Sequence, residues 1–155
     1  MIVSPADLVM EAEAARLEFL QAISNLPPAL RDAPKLVGDW GLREIVAHAG
    51  YWVGTVGEAL HAAEQGRADE LPHIDDVEER NAVVARVARE TDLATVTKRE
   101  AAVFEAFIDR LRRADPAWLG MRIAGGDTIE HIVREDGIDH YREHAADLQK
   151  VGAAA

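Results

Sequence analysis

Three histidines offer the most specific chemistry in this chain. His140 and His144 stand four residues apart near its end, and His48 lies far upstream. Residues four apart stack on one face of a helix, so the two late imidazoles can reach a common point, which is what a metal ion asks of two ligands from one helix. At about 100° per residue, Ile129, Ile132, Val133, Leu148 and Val151 outline an apolar arc. On a continuous helix His140 and His144 occupy its middle, where leucines would be expected. His48 falls at the flank of an earlier apolar face, one turn after Glu44 and one before Trp52, close enough to the core to turn inward. Three neutral imidazoles with no fourth protein donor would make an open site, leaving a position for water or substrate. Imidazole suits zinc, nickel, copper and iron alike, so the donor set does not choose the metal. The competing structural reading makes each of the three a half-buried ring satisfied by a carbonyl or carboxylate, with Asp136 and Asp139 nearby.

Other patterns carry less. His61 lies on the polar side of its helix, His73 in a proline-containing connector, and His131 roughly opposite His140 and His144, so all three read as surface residues. His140 to His144 also spells H-x-x-E-H, the signature of inverted zinc peptidases with Glu143 as base. Those enzymes are far larger and take a further glutamate ligand well downstream, and Glu143 reads first as a solvated charge beside Arg142. Glu58 and His61 match one E-x-x-H element of di-iron bundles, but the second copy that architecture requires is missing. Gly125-Gly126 before a helix would suit an anion, except that Asp127 places negative charge there. Trp40, Trp52 and Trp118 read as packing residues, and only Trp52, near His48, is placed to line a pocket.

The elements that must position these side chains are helices. Four segments show helical periodicity and none shows the strict alternation of a half-buried strand, so the chain reads as all-α. The first helix opens at Ser4-Pro5, carries Leu8, Ala12, Ala15, Phe19 and Ile23 on one face, and ends near Pro27-Pro28. The second runs from about Gly41 to Glu64, with Glu44 placed to fold back on its start. A connector from Gly66 to Asp75, longer than a tight helical hairpin needs, would cross one end of a bundle. The third helix is expected to run from Asp75-Asp76 to Arg113 as one long element with a bend near Glu90-Thr91-Asp92. The fourth follows Gly125-Gly126, with Asp127 and Glu130 at capping-box spacing, and ends near Val151-Gly152.

Composition sets the outer limits. The 155 residues, 48% hydrophobic and 29% charged, fit one globular domain over 1–155. A chain of this size can stabilise a core without a structural metal. Seventeen basic against 28 acidic residues leave a net charge of -11 with no basic patch, which disfavours nucleic acid. There is no cysteine, which removes disulfides, thiolate metal sites and cysteine nucleophiles. Met1 to Leu8 lack the basic and apolar runs of a signal peptide, and no stretch approaches the roughly 18 apolar residues of a membrane span. A cytoplasmic protein is expected.

Asp39-Trp40-Gly41-Leu42-Arg43-Glu44-Ile45-Val46-Ala47-His48 resembles the tryptophan-led second helix of the DinB/YfiT-like four-helix-bundle superfamily, which delivers the family's first histidine ligand. The stretch from Asp139 to Leu148 resembles its closing helix, where a histidine pair completes a triad, and Asp76 to Asn81 is similar to the opening of its third helix. The resemblance implies a four-helix bundle with up-down-down-up topology and a long crossover between helices 2 and 3. It also implies a divalent metal, zinc or nickel in particular, held by His48, His140 and His144, and a homodimer. Relatives include thiol-dependent transferases and isomerases, such as the mycothiol-dependent maleylpyruvate isomerase. The additional C-terminal domain of those isomerases has no counterpart here, so their particular reaction is not carried over. The expected function is a metal-dependent transferase or hydrolase acting on a small electrophile, with a low-molecular-weight thiol as a candidate cosubstrate. The alternatives are a non-enzymatic protein that sequesters a small molecule or toxin, and a purely structural or dimerisation module.

Overall fold

Local signals in the sequence start and stop most of the helices. The computed structural model describes residues 3–155; Met1 and Ile2, with which the stretch tested for a signal peptide begins, lie outside the described residues. Helix α1 (Pro5–Ser24) begins where the Ser4 side chain accepts from the Ala6 amide at 3.1 Å and Pro5 takes the first turn, where its missing N–H costs nothing. It buries Leu8, Ala12, Ala15 and Phe19 as expected. Its end comes at Ser24, and Pro27-Pro28 open a separate single turn, α2 (Pro28–Arg31). Helix α3 (Leu42–Glu64) matches its expected span and ends at Gly66, whose φ of +69° is a conformation that a side chain would disfavour. Glu44 does fold back: its Oε2 lies 3.0 Å from where a Gly41 Cβ would stand, and its Oε1 pairs with Arg89 at 3.2 Å.

The single long third helix is corrected to two, α4 (Val77–Arg89) and α5 (Leu93–Arg112). Asp92 adopts an extended backbone and its Oδ1 accepts from the Thr95 amide at 2.8 Å, so the acidic residue read as a bend is an N-cap that restarts the helix. Arg43 reaches across from α3 to the carbonyls of Arg89 and Thr91, covering acceptors that the break leaves open.

The closing element needs two corrections. Its cap is Thr128, whose Oγ1 accepts from the His131 amide at 3.1 Å, rather than Asp127. It is also not continuous. Helix α6 (Ile129–Arg134) passes into a π-helical turn over Glu135–Asp139 before α7 (His140–Ala154). A π turn spends about one extra residue, so the faces of α7 are rotated by roughly 100° from where a straight helix would put them. Tyr141, Ala145 and Leu148 therefore form the buried stripe of α7, and His140 and His144 sit beside that stripe instead of in its middle. Gly137 permits the turn to press on α5, since a Cβ there would stand 2.8 Å from the Phe107 ring.

The described residues are all-helical, with only two isolated bridges, Val37 with Trp40 and Arg122 with Thr128, and no strand. Helix α3 packs on α5 and α4, and α1 packs on α7 and α5. One hydrophobic cluster joins Leu8 and Phe19 to Ile45, Val53 and Leu60, to Phe107 and Leu111, and to Ile129, Val133 and Leu148. Helix α4 lies outside it, burying only Ala85 and Ala88. Among the described residues no helix is long and apolar enough to cross a membrane.

Candidate metal centre

Helix α3 presents His48 and α7 presents His140 and His144 to one point. The Nε2 atoms of His48 and His140 are 2.7 Å apart, those of His144 and His140 2.9 Å, and the three donor atoms all fall within 4.8 Å of one another. His48 is 7% exposed, with the Trp40 ring tilted against it at 4.7 Å between centroids. Among the described residues no carboxylate joins the group, so the donor set is three imidazoles with no fourth protein ligand.

The arrangement is poor as a set of hydrogen bonds and good as a set of ligands. Each neutral imidazole has one N–H and one in-plane lone pair, so His140 Nε2 can satisfy one neighbouring nitrogen and is pressed by two. The buried Nδ1 atoms of His48 and His140 have no hydrogen-bond partner among the described residues. For those two rings that removes the reading in which carbonyls or carboxylates such as Asp136 and Asp139 satisfy them, whereas His144 Nδ1 has the Asp147 carboxylate at 3.8 Å. Nitrogens about 2.05 Å from a shared tetrahedral ion would lie roughly 3.3 Å apart, so the two short pairs would open by about half an ångström and the third pair, His48 with His144, would draw in. The three residues could hold a metal ion.

Their electrostatics agree. Burial pushes the His140 imidazole down to about 3, with His144 and then His48 adding to the effect. Burial also takes His48 down to about 4, with His144 adding to it and the Asn81 side chain opposing. His144 is lowered by burial and partly restored by the Asp147 carboxylate, 3.8 Å from its Nδ1. All three rings are thus neutral near pH 7, with lone pairs free for coordination.

A cavity of about 620 Å³ opens onto His48 and His140. Trp52 lines it as expected, with its Nε1 donating to Asn81 Oδ1 at 2.8 Å. The π-helical turn adds Glu135 and Asp136, α3 adds Glu58, and α7 adds Glu143. Burial, reinforced by the charge of Glu135, pushes the Asp136 carboxyl up to about 7. His73 stands half-exposed at the rim, His61 receives a hydrogen bond from Arg110 at 3.0 Å, and His131 pairs with Glu135 at 3.2 Å. None of these three reaches the cluster.

Sequence reasoning missed a second buried polar group next to this one. Glu100, 2% exposed, receives Arg16 Nη2 at 2.7 Å and Nε at 2.9 Å, and the Tyr141 hydroxyl donates to it at 2.7 Å. The signal was present: Glu100 is four residues from both Val96 and Phe104, so it lies on the apolar face of α5. Tyr141 could not have been placed without knowing of the π turn. No protein-family model, curated protein or solved structure matches this chain, so the reading of its function rests on the geometry of the site.

Proposed function

We propose that the chain is a divalent-metal-dependent enzyme of the DinB/YfiT-like kind, with His48, His140 and His144 as ligands. The observation that carries this reading is the meeting of three neutral imidazole nitrogens beside a cavity large enough for a small molecule, with His48 and His140 on its wall. In this reading α1, α3, α5 and the α6–α7 element are the four arms of an up-down-down-up bundle, and α4 belongs to the crossover between the second and third arms. Bound there, a divalent ion would supply a Lewis acid that turns a water or a low-molecular-weight thiol into a nucleophile at neutral pH.

The chain's own residues do the rest. Trp40 packs against the His48 ring, and Trp52 lines the cavity onto which that ring opens. Asp136, facing the same cavity with its proton affinity near neutrality, is placed to accept a proton from the nucleophile or return one to a leaving group. The substrate is a small electrophile that fits the cavity. Zinc and nickel are the metals that the resemblance favours. A homodimer belongs to the same proposal, and light scattering of the full chain in solution tests it.

Turnover is the test that separates an enzyme from a sequestering protein. Protein reconstituted with zinc or nickel is expected to consume a chloro-aromatic or an epoxide in the presence of a supplied thiol, or to hydrolyse it in water. It should lose that activity in His140→Ala. Saturable binding of the same compounds without consumption under any metal or thiol would overturn the enzymatic reading.

A further inference from the structure

The cavity beside the histidines has a charge that its size alone does not require. Five carboxylates line it: Glu58 from α3, Asp127 from the loop before α6, Glu135 and Asp136 from the π turn, and Glu143 from α7. The one arginine on the wall, Arg80, is committed, its Nε donating to Asp76 at 2.7 Å and its Nη1 to the Tyr51 hydroxyl at 2.8 Å. Glu135 has His131 at 3.2 Å, and Asp127 has His73 only at 3.9 Å. Glu58, Asp136 and Glu143 make no ion pair among the described residues.

Two further features make this more than an acidic surface. The carboxylates arrive from four separate parts of the chain and line one half-open cleft of about 620 Å³, within the range of small-ligand sites. On its wall stands His48, more than nine-tenths buried, with a nitrogen that finds no partner among the described residues. A cleft with low-dielectric walls concentrates the field of its charges, and these outnumber a bound divalent ion and Arg80 together. Apolar area is supplied by Trp52, Ile74 and Ile132, and an indole face also favours a nearby cation.

We infer that this cavity selects a small organic cation, a molecule with a protonated amine or guanidine at one end and an apolar body against Trp52 and Ile74. The inference deepens the proposed function by naming a substrate class for the same site, and it rests on that reading for the chemistry that follows binding.

Calorimetric titration of the zinc-loaded full chain at low salt, with three probes of matched shape, tests it. Phenethylammonium is expected to bind at least about tenfold more tightly than 2-phenylethanol, and phenylacetate more weakly than the alcohol. The double variant Asp136→Asn/Glu143→Gln should lose most of that preference while keeping its zinc, and the milder Glu58→Gln should lose part of it. Equal affinity for the ammonium and the alcohol, a preference for phenylacetate, or a preference untouched in both variants would overturn the inference. Ammonium selectivity in a protein that takes up no zinc would sink the metal reading and leave this one standing. Zinc uptake without ammonium selectivity would do the reverse.

Discussion

His140 and Tyr141 are neighbours in the chain and point into two polar clusters of opposite kinds. Tyr141 gives its hydroxyl proton to Glu100, which also takes two hydrogen bonds from Arg16, while the Arg16 guanidinium lies 4.8 Å from the centre of the Phe104 ring. Every strong group in that cluster has a partner made of protein. His140 is in the opposite condition, with a buried Nδ1 that is unpartnered among the described residues and an Nε2 crowded by two other ring nitrogens. A buried polar group costs free energy unless its hydrogen bonds are met. The first cluster meets that condition internally and reads as structure. The second does not, and its three converging Nε2 atoms form a donor set that could hold a cation, the two orphaned Nδ1 atoms lying outside that set.

The comparison can be strained hardest at Glu100. Replacing it as Glu100→Gln leaves the Arg16 guanidinium part-buried without its counter-ion, and a loss of about 3 kcal/mol in urea unfolding is expected. His140→Ala in metal-free protein should cost much less, because the ring it removes is poorly satisfied. Similar losses from the two substitutions would break the distinction between the clusters.

The hinge between them is the π turn. Gly137→Ala would drive a Cβ into the Phe107 ring, for an expected cost of about 2 kcal/mol. Because that turn sets the rotation of α7, the same variant should weaken metal uptake. A stability loss with metal affinity unchanged would show that the turn does not position the histidines.

Acid should act on the histidine side with two opposite signs. The three histidines have folded values below the unfolded 6.5, so the unfolded chain binds the extra protons as pH falls. Metal-free protein should therefore hold its full histidine contribution above about pH 6.5 and lose it progressively down to about pH 3 to 4. His140→Ala should flatten that loss. Asp136 works in the other direction: its folded value near 7 lies above the unfolded 3.8, so its contribution declines as pH rises between them. Asp136→Asn should thus raise the melting temperature at pH 8 relative to the parent and leave it little changed at pH 3.5. The smallest effect is expected at the cavity wall, where Asn81→Ala strands the Trp52 indole N–H at a cost of about 1 kcal/mol in thermal or urea unfolding.

The helical character of the chain was legible because apolar spacing and capping residues act locally. Ser4-Pro5 and Gly66 begin and end helices where their chemistry requires it. The histidine cluster was legible as well, although one premise behind it was wrong. A uniform helix places His140 and His144 in the middle of a buried arc, and the π turn centres the buried stripe on Tyr141, Ala145 and Leu148 instead, with the histidines at its side. The pair still meets His48, because four-residue spacing keeps two side chains together whatever the rotation of the helix carrying them. What stayed hidden depended on distant parts of the chain. Asp92, read only as part of a bend, caps a new helix at a break whose carbonyls Arg43 covers from α3, and the partner of Glu100 is Arg16, 84 residues away.

The metal content of tag-free protein, measured by mass spectrometry after purification in the presence of zinc and nickel, bears most directly on the central claim. One equivalent of a divalent metal per chain is expected, lost in His48→Ala, His140→Ala and His144→Ala and kept in Arg16→Lys. Protein that remains metal-free, or that binds as much metal in the histidine variants as in the parent, would contradict it.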